Sequence, residues 1–281
     1  MTTRTKTNAV AALRLSERDD AISRCLVDAR LTAELLPDFP DRLPTTLEQA
    51  YAIQSASIDR WPDVVVGWKV AMLPVPDRSR FPAERLAGPV FSKKVRAIES
   101  GSKVVMPVYA GGFAAVEAEF VLELGVSVLP TGKDYSDDEL IDVVSAWHCG
   151  AEIASSPMAV VNERGATSII SDFGNNAGVL LGPRIEDWQT RPLDEMPAKV
   201  IVDGETAGET TAAAVPGGPL QALRFLIDLC ASRGIDLPAG TLVSSGAVTG
   251  VHDVQMDSVA RLEFGQFGSF EVTFEPVTPA T

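Results

Sequence analysis

Histidine is almost missing from this chain of 281 residues: only His148 and His252 occur, and neither stands in a GxSxG or HExxH context. Each reads as a hydrogen-bonded structural residue, which takes away the usual carrier of Ser–His hydrolysis. Cys25, Cys149 and Cys230 lie far apart and form no CxxC pair, excluding a zinc ribbon and a disulfide framework and leaving three small core residues. There is no P-loop, and no GxGxxG follows a strand, so nucleotide cofactors lack a cradle. Long apolar runs are missing too. Residues 1–8 are polar, and 9–13 is too short for a signal-peptide core or a membrane span, so a reducing cytoplasm is expected. Basic residues are outnumbered, 24 Lys plus Arg against 38 Asp plus Glu. The net charge of −14 argues against a nucleic acid or an anionic membrane as partner and favours a cation.

What is present is an apolar chain, 46% hydrophobic, with acidic residues in unusual places. Val116-Glu117-Ala118-Glu119-Phe120 puts two carboxylates one residue apart. On a strand they share one face while Val116, Ala118 and Phe120 take the other. A half-solvated strand shows the same pattern. Glu152, in Cys149-Gly150-Ala151-Glu152-Ile153-Ala154, adds a third carboxylate among small and apolar neighbours. Three carboxylates with few nitrogen or sulfur donors suit the hard ions Mg2+ or Mn2+. Lys69, inside Gly67-Trp68-Lys69-Val70-Ala71, is either an edge residue that discourages strand pairing or an ammonium held in a site.

Along the chain, 1–15 reads as a flexible arm. Ser16-Glu17-Arg18-Asp19 and Thr45-Thr46-Leu47-Glu48 have helix-start spacing, and Pro37, Pro40 and Pro62 are stops, so 16–63 is a small helical region. From 64 to 281 the texture is β-rich. Strands are expected at 64–72, 103–108, 115–124 and 150–154, then 179–182, 241–244, 258–264 and 269–274, with an Asp203-Gly204 hairpin. Residues 73–94 read as a long loop. A helix opens at Ser136-Asp137-Asp138-Glu139 and runs to about Trp147, and another follows Gly217-Gly218-Pro219 and stops at Gly234. The polar segment 172–178 is a plain loop or a holder of substrate carboxylate.

Together these pieces resemble the 2-keto-4-pentenoate hydratase and 4-oxalocrotonate decarboxylase group of the fumarylacetoacetate hydrolase superfamily. The landmarks are Ala50-Tyr51-Ala52-Ile53-Gln54, Gly67-Trp68-Lys69-Val70, Val116-Glu117-Ala118-Glu119, Ala151-Glu152-Ile153, Asn176-Ala177, Gly240-Thr241-Leu242-Val243 and Ser245-Gly246. The resemblance implies an α+β fold, a mixed and highly curved β-sheet rolled around the site, with peripheral helices. It implies Glu117, Glu119 and Glu152 as ligands of Mg2+ or Mn2+, Lys69 as the catalytic lysine, and Asn176, Ser245 and Gly246 at the substrate. The implied activity is that of a metal-dependent lyase of aromatic catabolism, a hydratase or decarboxylase. It would act on a small 2-keto or 2-hydroxydienoate acid through a metal-stabilised enolate. The implied assembly is a homo-oligomer, or a complex with a partner hydratase or decarboxylase.

Three departures bear on that reading. Leu86, in Arg85-Leu86-Ala87-Gly88-Pro89, stands where hydratases of the group carry an acid; Glu84 and Asp77 are the candidates to replace it. The related decarboxylases lack that acid, so the choice tilts toward carbon–carbon bond chemistry. Ser155-Ser156-Pro157 replaces a common Asp-Ser-Arg, with an expected effect on the acidic end of the pocket or on its support, and Asn175 replaces a frequent aspartate. Two alternatives remain, a carbon–carbon bond hydrolase of acylpyruvate-like diketo acids and a non-catalytic partner subunit.

Overall fold

The computed structural model describes residues 15–279, so the arm expected over 1–15 lies, apart from Leu15, outside the described residues. Two helices lead, α1 (Glu17–Thr32) and α2 (Leu47–Arg60). Ser16 caps α1 by accepting from the Asp19 N–H, and Thr46 caps α2 by accepting from the Gln49 N–H. Ala33, in the left-handed conformation, ends α1 ahead of Pro37.

Next come β1 (Val65–Met72), β2 (Arg85–Phe91), β3 (Val95–Ala97), β4 (Lys103–Val108), β5 (Phe113–Leu124), α3 (Asp137–Val143) and β6 (Val144–Ser156). The chain continues through α4 (Ala166–Ser171), β7 (Asn176–Arg184), β8 (Pro197–Val202), β9 (Glu205–Thr211) and α5 (Pro219–Arg233). It closes with β10 (Leu242–Ser244), β11 (His252–Asp253), β12 (Val259–Glu263) and β13 (Ser269–Pro276). One sheet runs β2-β1-β10-β5-β6-β7-β3 with β11 also on β5; the other runs β4-β13-β12-β8-β9. Parallel pairs β1/β10, β3/β7 and β4/β13 sit among antiparallel neighbours. The result is a strongly curled mixed sheet with few helices, the α+β class expected. Among the described residues, no helix is long and apolar enough to cross a membrane.

The centre of the larger sheet follows from alternation along β5. Val116, Ala118, Phe120 and Leu122 enter the main core, where the Phe120 ring meets Phe264 edge-on at 5.8 Å. Glu117 and Glu119 therefore face the other way. β6 pairs with β5 along nearly its whole length and sets Glu152 opposite Glu117.

Two expectations need correction. The loop expected over 73–94 contains β2, whose residues are all buried and so show no polar–apolar alternation. As an edge strand it leaves backbone groups open, and α2 covers them: the Ala87 N–H donates to Tyr51 Oη at 3.0 Å, and Gln54 Nε2 donates to the Ala87 carbonyl at 2.9 Å. The helix opened by Ser136 ends at Val143, not near Trp147, because 144–147 pair with 122–124 as the start of β6. The short helix α4 had no expected counterpart. The Asp203-Gly204 hairpin joins β8 to β9, both turn residues having positive φ.

Candidate metal centre and active site

The carboxylates of Glu117, Glu119 and Glu152 each offer an oxygen within 4.8 Å of the others, and all three side chains are buried. Lys69 reaches them from β1. Its Nζ lies 3.1 Å from Glu152 Oε2 as an ion pair and donates a hydrogen bond to Asn175 Oδ1 at 3.4 Å. Three carboxylates against one ammonium leave two negative charges uncompensated, the amount a divalent cation cancels. Ser244 Oγ and the Gly246 N–H, the latter at 3.0 Å, both donate to Glu119 Oε2, and Asn176 Nδ2 donates to Glu152 Oε1 at 2.9 Å. Glu119 Oε1 is left buried without a partner, and Glu152 Oε2 has only the Lys69 ion pair. An unpartnered, buried carboxylate oxygen in an all-oxygen donor set fits coordination of Mg2+ or Mn2+.

The electrostatics carry the same signature. Burial, and then the neighbouring Glu152, pushes the Glu117 carboxyl up to about 7. Burial raises Glu119 well above the usual carboxylate range, helped by Glu152 and Glu117 and opposed by the Ser244 hydroxyl. Burial works against the charge on Lys69, yet Glu152, Glu117 and Glu119 outweigh it and raise its pKa, so the lysine is an ammonium at neutral pH. As an ammonium it can donate a hydrogen bond or a proton.

A strained turn delivers the asparagines. Phe173, Gly174 and Asn175 are consecutive left-handed residues between α4 and β7. Non-glycine residues adopt that conformation only against a cost. Packing holds it: the Phe173 ring meets Trp61 and Phe91 at 5.4 and 5.1 Å, and the Arg30 guanidinium lies over it. The turn also presses on β2, where a Cβ on Gly88 would stand 2.1 Å from the Phe173 carbonyl oxygen. Gly88→Ala is therefore expected to cost about 1–3 kcal/mol or more in chemical denaturation. It should also displace Asn175 from Lys69; a wild-type denaturation midpoint would show that the turn can yield.

Beside the triad opens a cavity of about 300 Å³, its wall including Lys69, Glu117, Asn175, Ser245, Gly246 and Leu86. Ser245 Oγ is buried there without a partner, whereas Asn176 lies off this wall and orients Glu152. Asn175, which donates through Nδ2 to Asn162 Oδ1 at 3.0 Å, reaches the wall together with Asn162; neither was singled out from the sequence as a site residue. For Asn175 the signals are the polar segment 172–178 and its place where an aspartate is frequent, neither of which says which amide points inward; Asn162 has none.

Neither substitute for the missing acid lines the cavity. Asp77 is buried and accepts from the Ala166 N–H at 2.7 Å, and Glu84 is exposed. Ser155-Ser156-Pro157 lies off the wall, so of the two expected effects the one on support applies: Ser155 Oγ donates to the Phe113 carbonyl and accepts from the Tyr109 N–H. His148 bonds through Nδ1 to the Gly182 carbonyl and His252 through Nε2 to Thr249 Oγ1, both away from the cavity.

Residues 68–275 match the family model described as fumarylacetoacetate (FAA) hydrolase C-terminal. Over 107 residues the chain is 26% identical to a 4-oxalocrotonate decarboxylase of Pseudomonas putida; the match spans 38% of this chain and only 40% of that relative's length. Structures of 4-oxalocrotonate decarboxylase from Pseudomonas putida G7 have been solved complexed with magnesium and adipate and with calcium and acetate. Each superposes with a TM-score of 0.75 over 97% of this chain and 100% of its own, at 20% identity. A fumarylpyruvate hydrolase from Pseudomonas aeruginosa, in complex with Mn2+ and pyruvate, gives a TM-score of 0.55 at 14% identity over 75% of this chain and 89% of its own. These structures share the fold, they hold divalent ions, and the buried acidic triad here can bind one. The match to the family model runs through β1, β5, β6 and the β10 end of the site, and the chain belongs to the fumarylacetoacetate hydrolase C-terminal family.

Proposed function

We propose that this chain is a divalent-metal-dependent lyase acting on a small 2-keto or 2-hydroxydienoate acid, with decarboxylation favoured over hydration. The observation that carries this reading is that Lys69 and Glu117, one member of the buried acidic triad, line one cavity. Glu117, Glu119 and Glu152 would hold Mg2+ or Mn2+, which when bound supplies Lewis-acid polarisation of the substrate's keto-acid end. Lys69, protonated and fixed by Asn175 and Glu152, stabilises negative charge arriving at that end when the carbon–carbon bond to the departing carboxyl group breaks. The unpartnered Ser245 hydroxyl supplies a further donor.

Hydration needs a group to activate water and move its proton. Leu86 lines the wall at the expected position, and the only carboxyl group on that wall is Glu117. The hydrolase alternative has no histidine on the wall to serve as base. The test is the ultraviolet absorbance of 2-hydroxydienoates and their dicarboxylate analogues, followed with Mg2+ and with chelator. Metal-dependent loss of the dicarboxylate chromophore, with release of CO2, is expected. Release of pyruvate from an acylpyruvate would point to hydrolysis instead, and no turnover of any member would favour the partner-subunit reading.

A further inference from the structure

Among the described residues Lys69 has two acceptors, and only one belongs to the acidic triad. Its Nζ pairs with Glu152 Oε2 at 3.1 Å and donates to Asn175 Oδ1 at 3.4 Å, the lysine stem passing Gly174, where a Cβ would stand 3.2 Å from Cδ. An ammonium has donors and no acceptor, so Asn175 must turn its carbonyl oxygen toward it. The NH2 group of Asn175 then faces away and needs an acceptor of its own. Asn162 Oδ1 is that acceptor, at 3.0 Å from Nδ2. Each side chain thus fixes the orientation of the next: with a donor at position 162, Asn175 would turn over and set an N–H against the ammonium.

Asn162 is exposed, in the segment between β6 and α4, yet its place is closely held. At the start of the segment the Pro157 carbonyl accepts from the Leu36 N–H at 3.0 Å, and further on the Arg164 guanidinium makes two 2.6 Å hydrogen bonds to the Asp38 carboxylate. At its end the Ala166 N–H donates to Asp77, and the Gly165 N–H donates back to the Asn162 carbonyl at 3.1 Å. A solvent-facing segment tied at several points delivers one residue, Asn162, to the cavity wall.

We propose that Asn162 is a positioning residue: it holds Asn175 in the one orientation that accepts from Lys69, and through Lys69 sets how readily the triad takes up a divalent ion. A cation bound by the carboxylates competes with the ammonium for Glu152 and repels it. Asn175 Oδ1 is the acceptor outside the triad that still holds Lys69 when Glu152 is taken up. Without it the ammonium depends on Glu152 alone, and metal binding carries the cost of displacing it. This inference rests on the metal assignment above, and its test separates the two.

The experiment is calorimetric titration with Mg2+ of wild type, Asn162→Ala and Asn162→Asp, repeated with Lys69→Met added to each. Asn162→Ala removes the acceptor at an exposed position, so the fold survives; it should bind Mg2+ about 2- to 10-fold more weakly, the size of one hydrogen bond. Asn162→Asp keeps the acceptor and should bind at least as tightly as wild type. With Lys69→Met the effect of Asn162→Ala should vanish, whereas a loosened loop acting on the triad by another route would keep its effect. Lys69→Met takes from the triad its paired cation; should that variant not fold, Asn175→Gly, which suits the left-handed backbone there, replaces it in the cycle with the same expectation. Wild-type affinity in Asn162→Ala, an equal loss in Asn162→Asp, or a loss that persists without Lys69 overturns the role of Asn162 and leaves the metal assignment standing. Failure of wild type to bind Mg2+ overturns the two together.

Discussion

Glu117→Gln is expected to abolish the stabilisation of this protein by Mg2+, with the metal-free fold more stable than wild type at pH 5.5 and by a wider margin at pH 8. The substitution keeps the shape of the side chain and removes one of three buried negative charges that repel one another. Its effect on metal affinity should exceed the 10- to 100-fold typical of residues that merely support a ligand. The sign of the pH dependence follows from the raised carboxyl. In the metal-free fold Glu117 keeps its proton up to about 7, while the unfolded chain loses it near the ordinary glutamate value. Between those values the folded state binds more protons, so stability falls as pH rises through the window and levels off above it. A divalent ion binds the carboxylate form and expels the proton, so its stabilising effect grows over the same interval. Thermal melts with and without Mg2+ at pH 5.5 and pH 8 check this. The wild-type shift should be the larger at pH 8, and Glu117→Gln should show no shift at either. A variant that responds to Mg2+ as wild type does would remove Glu117 from the ligand set.

Arg30→Met is expected to cost about 3–5 kcal/mol of folding stability, as breaking one side of a buried ion pair does. Arg30 pairs with Asp172 in the interior, with Nη2 at 2.9 Å from Oδ2, both side chains almost fully covered. Its remaining donors reach the carbonyls of Ser155, Asp172 and Asn176, each at 3.1 Å. One side chain of α1 thus ties the end of β6, the left-handed turn and the start of β7 together. Removing it strands the Asp172 carboxylate and three carbonyl groups at once. Since Asn175 and Asn176 hang from that turn, the damage should reach the metal centre. Urea denaturation measures the first effect, and Mg2+ titration of the surviving folded fraction measures the second. Arg30→Met with Asp172→Leu should recover part of the stability, because it removes both charges, but none of the carbonyl contacts. A single variant within 1 kcal/mol of wild type would show that water replaces the guanidinium.

The landmark Ala50-Tyr51-Ala52-Ile53-Gln54 shows how a local pattern can be recognised before its physical purpose is visible. In the sequence it is one stretch of a helix. In the fold, Tyr51 and Gln54 satisfy the open backbone of Ala87, and Gln54 Nε2 also donates to the Ile170 carbonyl at 2.9 Å. The purpose was hidden because β2 itself was hidden: a strand buried on both faces has no alternation to reveal it.

The sequence by itself determined the helix starts at Ser16, Thr46 and Ser136, since each cap is a contact within one turn. It determined the Asp203-Gly204 hairpin and the alternation that sets Glu117 and Glu119 on one face, since both depend on residues one or two apart. Tertiary structure alone decided what the shared face meets. Glu152 opposes Glu117 only through the register of β5 on β6, and Lys69 arrives from a strand separated from β5 by β10. Asn175 is aimed by a turn held from α1 and from Gly88. Those relations join residues dozens to more than a hundred positions apart. They exist because burying the apolar faces of curled sheets brings the strands together, and no local rule of spacing contains that information.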